Sequence, residues 1–324
     1  MTDNVYKVCG EYIVELKRLP DTITNEGRNN VIDSNYAKFR GNKFLVHSIK
    51  HKITKESIPQ IENTVFSDRI KYIVGEEIST EFCENLNEIC AKGIHFFTSY
   101  DAAYYYLEIV KNGICKIWFD NGSPSIICSY KDGRLDGEYR AWYENGKQSK
   151  ICNYKDGKLD GECKVWFENC RLFGICNYKN GQLHGKYSEL YTNGQYNIIC
   201  NYKDGQLHGE NSEWYVNGKQ LKNCNYKNGQ VDGEYSEWYE NGQQSKSCNY
   251  KDGKIVGDYK SWYENGKLLL ITNYKDGQLV SISNYKYDKL VSIKNYKDDK
   301  LVSISNYKDG ELMSISNYKD GMIV

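Results

Sequence analysis

The sequence predicts a small α+β N-terminal domain followed by an all-β repeat solenoid, a single-layer antiparallel β-meander of roughly 18 strands. Three observations predict it. Asn153-Tyr154-Lys155-Asp156-Gly157 recurs with small changes every 24 residues, at Tyr130, Tyr154, Tyr178, Tyr202, Tyr226, Tyr250 and Tyr274. Between the copies lies a second signal, Trp-Tyr-Glu-Asn-Gly, at Trp142 to Gly146, Trp238 to Gly242 and Trp262 to Gly266. Neither signal occurs in the first 112 residues. Residues 1–112 therefore read as the α+β module and 113–280 as 24-residue β-hairpin repeats. Residues 281–324 read as 11-residue single-strand repeats carrying Tyr285, Tyr296, Tyr307 and Tyr318.

In the module, Tyr12–Leu16, Lys43–Ile49 and Ile70–Val74 read as strands, because β-branched and aromatic residues dominate them. The polar stretch from Pro20 to Tyr36 reads as a mobile loop. Phe82 to Ile89 reads as a short helix with Thr80 as its N-cap. Gly93-Ile94-His95-Phe96-Phe97 reads as a buried strand, after which Ser99 or Asp101 caps a helix through Ala102 to Leu107.

Within the repeats, Asp-Gly and Asn-Gly flanked by strand formers are hairpin signals, since a type I′ turn needs positive φ at both central residues. With two-residue loops throughout, Tyr154 pairs with Leu159, Cys152 with Gly161 and Tyr143 with Gln148. One face then carries the tyrosines at 130, 139, 143 and 154 with Cys128, Cys152 and Cys176. The other carries Trp142, Trp166 and Ile151. Units stack at about 9.6 Å, two strand spacings, so tyrosine ladders (Tyr130 to Tyr274) and tryptophan ladders (Trp142, Trp166, Trp214, Trp238, Trp262) are expected to supply most of the apolar contact. These rings are the spine of the solenoid or an aromatic binding surface.

Lysine plus arginine and aspartate plus glutamate stand at 43 each, so no global charge recruits nucleic acid or anionic lipid. The row of lysines at 131, 155, 179, 203, 227 and 251 is cancelled by interspersed acids, which weighs against nucleic-acid or phosphoinositide binding. No apolar run approaches about 18 residues, and Met1 to Lys7 lacks the apolar core of a signal peptide. A cytoplasmic protein with reduced cysteines is expected.

The six cysteines at 128, 152, 176, 200, 224 and 248 sit on alternate strands, too far apart for a disulfide or a shared metal. Packing is the expected role, with Thr272 as filler in the next unit. One unit differs. Asn169-Cys170 replaces Asn-Gly, and Cys163 replaces the tyrosine of Tyr139 and Tyr235, which sets Cys163 directly opposite Cys176 as a thiol pair. His184 and His208 replace Asp136 and Asp160 beside a turn, where a solvated polar residue is the ordinary expectation. No metal site and no cofactor are called for. The C-terminal units place Asp288-Lys289 and Asp298-Asp299 where a turn glycine is expected, and close on Gly321-Met322-Ile323-Val324. An edge that self-associates or is covered by a partner is expected there.

Three resemblances add to this reading. Tyr72-Ile73-Val74-Gly75-Glu76, Cys90 to Phe97 and Ala102-Ala103-Tyr104 resemble an uncharacterised N-terminal module of giant DNA viruses of amoebae. The repeats, through Asp-Gly-x-Leu-x-Gly-Glu-Tyr and Trp-Tyr-Glu-Asn-Gly, resemble the variant class of MORN repeats named after bacterial antitoxin-like proteins. The resemblance implies a viral, non-enzymatic scaffold that binds a protein partner, in the host cytoplasm or the virion. Gly93-Ile94-His95-Phe96 with Tyr104 also resembles the Gly-x-His/Tyr-Phe segment of ADP-ribosyltransferase folds. That implies an alternative site in the head at Cys90, Gly93, His95 and Tyr104, of ADP-ribosyltransferase-like or toxin–antitoxin-like character.

Overall fold

The computed structural model describes residues 4–63, 69–106 and 111–324. Two compact units divide the chain, Met1–Lys158 and Leu159–Val324. The first unit begins with β1 (Asn4–Cys9), β2 (Tyr12–Lys17), β3 (Lys38–Gly41), β4 (Lys43–His51), β5 (Gln60–Glu62), β6 (Lys71–Ile73), β7 (Glu77–Ser79), β8 (Ile94–Phe97) and α1 (Tyr100–Tyr105). Six of these strands form one antiparallel sheet in the order β3-β8-β1-β2-β4-β7, and β5 pairs with β6. Alternation along β1 and β4 turns Val5, Phe44 and Val46 inward against Phe39 and Phe96, and a bulge at His47 shifts the phase so that Ile49 joins them. Ser99 caps α1, its hydroxyl accepting the Ala102 amide. Leu107, at the expected end of that helix, lies outside the described residues.

Two expectations for the module fail, and for one reason. Phe82 to Ile89 is not helical. It is a loop wrapped around the fully buried Arg40 guanidinium. Arg40 donates to the carbonyls of Glu88 and Cys83, both at 2.8 Å, Asn85 at 2.5 Å and Lys92 at 3.1 Å. Carbonyls that converge on one cation do not run parallel along a common axis, as those of a helix must. Pro20 to Tyr36 is likewise an anchored loop. Asn25, fully buried, accepts the Arg40 amide and donates to the Leu86 carbonyl. Arg28 donates to the carbonyls of Lys38 and Asp120.

The repeats begin in the first unit with β9 (Gly113–Trp118), β10 (Pro124–Lys131), β11 (Arg134–Trp142) and β12 (Gln148–Lys155). β13 (Lys158–Leu159) starts at the division. The second unit continues with β14 (Gly161–Trp166), β15 (Leu172–Lys179), β16 (Gln182–Leu190), β17 (Tyr196–Lys203), β18 (Gln206–Trp214), β19 (Gln220–Lys227), β20 (Gln230–Trp238), β21 (Gln244–Lys251), β22 (Lys254–Trp262) and β23 (Leu268–Lys275). β24 (Gln278–Lys286), β25 (Lys289–Lys297), β26 (Lys300–Lys308), β27 (Glu311–Lys319) and β28 (Met322–Ile323) complete it. Within each unit successive strands pair antiparallel in a single-layer meander.

The register refines the expected one. Tyr130 pairs with Leu135, so the tyrosine-side turn is the two-residue type I′ loop, with Asp132 at φ 50° and Gly133 at φ 74°. Cys128, however, faces Tyr139 rather than Gly137. Asp136, Gly137 and Glu138 stand against Ser129 alone, and Gly137 takes φ 105° to allow the bulge. The two extra residues leave the faces unchanged. Across the other neighbour Gly137 faces Tyr154.

The tryptophan-side turn is not a two-residue loop. Trp142, not Tyr143, pairs with Gln148. The Tyr143 amide donates to the Lys147 carbonyl and the Gly146 amide to the Tyr143 carbonyl, both near 2.9 Å or below. Gly146 alone takes positive φ, and Asn145 Oδ1 accepts the Lys147 amide instead. In the broken unit Cys170 occupies that left-handed position at φ 68°.

In the first 11-residue unit the turn comes one residue earlier than expected: Lys286 pairs with Lys289, so the loop is Tyr287-Asp288, both at positive φ. In the next unit Lys297 pairs with Lys300, and the loop is Asp298-Asp299 as expected. Here the glycine bulge is gone, and a ladder of Asn-to-Ser side-chain bonds near 3.0 Å runs from Asn273–Ser281 to Asn306–Ser314.

Candidate functional site

His95 heads the module's candidates. Its Nε2 lies 3.0 Å from the Ile89 carbonyl, so the ring is a strut that ties β8 to the Arg40 loop. Burial, then the charges of Lys38, Lys7 and Arg40, pushes its pKa down to about 4 against the Ile89 hydrogen bond, which acts the other way. The neutral imidazole therefore serves as a donor. Gly93 backs onto Arg40: a Cβ there would sit 3.1 Å from the Arg40 Cβ. Cys90 is exposed on the same loop. Tyr104 meets other partners, the rings of Tyr100 and Tyr105 and the ammonium groups of Lys52 and Lys55. The structure shows no common focus for the four.

The module's joint with the first repeat strand is aromatic. Tyr36 stacks on Trp118 with ring centres 4.5 Å apart and planes within 6°. Asn121 accepts the amides of Ile32 and Asp33 through its carbonyl, and the Asp120 carbonyl accepts the Lys38 amide.

In the repeats, directly opposed residues share a face. Cys128, Tyr139 and Cys152 therefore form one row, and Cys176, Tyr187, Cys200, Asn211, Cys224 and Tyr235 another. The cysteines at 128, 152, 200, 224 and 248 are buried, Cys176 is half-buried, and Thr272 is buried as the filler of its unit. Burial pushes the thiols of Cys128, Cys200 and Cys248 up to about 11. They are packing groups.

The repeating rings, Tyr130 to Tyr274 and Trp142, Trp166, Trp214, Trp238 and Trp262, are all half-buried. The tyrosine ladder is mixed rather than like-on-like. Tyr154 meets Tyr139 edge-on at 5.7 Å, Tyr202 meets Tyr187 at 5.6 Å and Tyr250 meets Tyr235 at 5.4 Å. The intervening strand supplies the contact that rings two strands apart are too distant to make. Where Leu190 replaces tryptophan, Tyr196 fills in against Trp214 at 6.1 Å.

His184 and His208 prove to be turn-side groups. The amides of Asp156, Asn180 and Asp252 donate to Asp136, Asp160 and Asp232. In the same way the Asn228 amide donates to Nδ1 of His208, while Nδ1 of His184 lies 3.2 Å from the Asp204 carboxylate and 3.4 Å from the Asp204 amide. Among the described residues no cluster of three or more ligating side chains exists that could hold a metal.

Sequence reasoning missed a groove on the tyrosine face of the second unit. It encloses about 510 Å³ and is lined by Tyr215, Tyr239, Tyr259, Leu221 and Leu270, with Trp238 and Trp262 contributing. At its floor Lys246 donates to Glu237 at 2.8 Å, and the Tyr235 hydroxyl donates to the same carboxylate. Burial works against that carboxylate, yet the Lys246 and Tyr235 bonds hold its pKa below the ordinary value. The wall is ordered by hydroxyls: Tyr215 donates to the Trp238 carbonyl and Tyr239 to the Trp262 carbonyl, both at 2.8 Å. The one-residue bulge opposite each tryptophan puts residues 221 and 269 beside Lys222 and Leu270.

Five segments match the MORN repeat variant. They are residues 111–132, 135–156, 183–204, 231–252 and 255–276. Residues 4–103 match a family of unknown function, DUF5758. The solved structures that resemble the chain include "Crystal Structure of TcdB2-TccC3-Cdc42", at 12% identity and a TM-score of 0.17, covering 95% of this chain and 19% of that one. "Crystal Structure of TcdB2-TccC3" stands at 12% identity and 0.16, covering 98% and 18%. This chain thus spans under a fifth of each, and such scores reflect no shared overall fold. No curated protein matches the chain. Among the described residues no helix is long and apolar enough to cross a membrane.

Proposed function

We propose that this chain is a non-enzymatic repeat scaffold whose tyrosine face grips a protein partner in the second unit. The observation that carries the reading is the groove of about 510 Å³ over the Glu237–Lys246 pair. Tyrosine and tryptophan side chains are the composition of energetic anchors at protein interfaces, and here they surround a partly exposed ion pair. The proposed setting is the cytoplasm, and the resemblance of the module adds a virus-encoded origin to the reading. No cofactor enters it. A catalytic reading at His95 is less well supported, because the ring is neutral and its Nε2 is committed to the Ile89 carbonyl.

The test compares affinity capture from lysate by wild type, by Leu270→Lys in the groove, and by Lys227→Glu on the exposed tyrosine-side edge. The reading expects a protein retained by wild type and Lys227→Glu and lost with Leu270→Lys. Equal retention by all three refutes the groove. Self-association through β27 is a second part of the proposal, since Leu312, Met313 and Ile315 are 51%, 62% and 57% exposed there. Sedimentation should show Ile315→Lys shifting an oligomer toward monomer; identical profiles refute it.

A further inference from the structure

The cysteine row follows a rule that is broken twice. Where the register is regular, a ladder cysteine faces a larger residue: Tyr139, Tyr187, Asn211 or Tyr235. Cys115 on β9 and Cys163 on β14 occupy that larger residue's place. The register consequently sets Cys115 directly against Cys128, and Cys163 directly against Cys176. Opposed α-carbons in antiparallel pairs lie about 4.5 or 5.5 Å apart, and both spacings fall within disulfide geometry. Regular ladder cysteines are two strands, about 9.6 Å, apart. The Cys176 thiol already leans across its pair, donating to the Cys163 carbonyl at 3.7 Å.

We propose that Cys115–Cys128 and Cys163–Cys176 are two cross-strand dithiol sites that hydrogen peroxide converts to disulfides, while the remaining ladder cysteines stay reduced. The chemistry balances with peroxide as the oxidant. The Cys176 thiolate attacks one peroxide oxygen, the O–O bond breaks, and the departing hydroxide takes a proton to become water. The Cys163 thiol then gives up its proton and attacks the sulfur of the resulting sulfenic acid. The S–O bond breaks, and the oxygen leaves as a second water. Two thiols lose two electrons and one peroxide gains them. Access sets the order. Cys176 is half-buried, whereas Cys115 and Cys128 are 5% and 3% exposed, so the 163–176 link forms first.

The experiment treats the folded full chain with a graded series of hydrogen peroxide and then blocks remaining thiols with iodoacetamide. Peptides are mapped by mass spectrometry without reduction. A 163–176 link at low dose, a 115–128 link at higher dose, and reversal of both by dithiothreitol support the proposal. Cys176→Ser should abolish the first link and spare the second, with circular dichroism unchanged. Wild-type mapping alone decides the matter if that variant does not fold. An earlier intramolecular link among Cys152, Cys200, Cys224 and Cys248 overturns it. So does over-oxidation of Cys176 to sulfinic acid without a link.

Discussion

Replacing Arg40 by methionine tests how the module is held together. Four backbone carbonyls on the loop from Cys83 to Lys92 converge on its guanidinium, and its face lies 4.6 Å from the centre of the Phe82 ring. Hydrogen bonds to a charged group are worth about 1.5–3 kcal/mol each, so four summed naively would reach about 6–12 kcal/mol. The loop sets a lower ceiling, because once released its carbonyls return to water. Removing the charge should cost about 3–5 kcal/mol, the range for breaking a buried charged network. Arg40→Lys should lose most of the same energy, since an ammonium cannot reproduce the planar fork. Hydrogen exchange reads the effect directly. The Cys83 and Glu88 amides, which bond to the carbonyls of Lys92 and Asn85, should exchange at least about a hundredfold faster in Arg40→Met. Exchange within about threefold of wild type at both amides would refute the cation-centred account.

His95 gives the module a pH dependence. Its folded pKa of about 4 lies below the ordinary 6.5, so between these values the unfolded chain binds the extra proton. Stability is therefore complete above about pH 6.5 and falls as pH drops toward 4, by at most about 3 kcal/mol. Urea unfolding at stepped pH should show this slope in wild type and not in His95→Gln; equal slopes would refute it. Gly122→Ala should break the joint between the module and the first hairpin. Its Cβ would lie 1.9 Å from the Asp33 carbonyl oxygen and 2.8 Å from the Ala37 amide, at φ 88°. A loss of about 2 kcal/mol or more follows from overpacking plus backbone strain. An unchanged thermal midpoint would show that the loop yields without cost.

The repeats were legible because each decision in them is local. Asp-Gly between strand formers specifies a type I′ turn, and the period transfers that decision from unit to unit. Asn-Gly after Trp-Tyr misleads for an equally local reason. Asn145 uses its side chain to accept the Lys147 amide, which favours a longer loop with only Gly146 left-handed. The bulge opposite Ser129 was hidden for a different reason: Gly137 has two duties, a ring across one strand and a bulge across the other. The module was legible in its apolar strands and in the Ser99-capped helix α1. Its two long loops are organised by Arg28, Arg40 and Asn25, polar residues whose burial no periodicity announces. A buried arginine satisfied by scattered carbonyls leaves no sequence spacing to read.

Substitutions at one place in the repeat reveal what that place is for. Aspartate and histidine exchange beside the turn because both meet the next turn's amide, which removes His184 and His208 from the list of chemical candidates. Cysteine and threonine exchange in the buried row because either fills it. The bulge place opposite tryptophan behaves otherwise. It carries Ser149, Phe173, Asn197, Leu221, Ser245 and Leu269, which share neither volume nor polarity. A position whose only task is to complete the sheet would not tolerate that range. Its leucines at 221 and 269 flank the small Ser245 where the groove opens. The scaffold fixes the backbone of every unit alike, so variation at this one place changes the surface without changing the fold. Recognition in such an array is accordingly to be sought at the bulge, not in the ladders that recur unchanged.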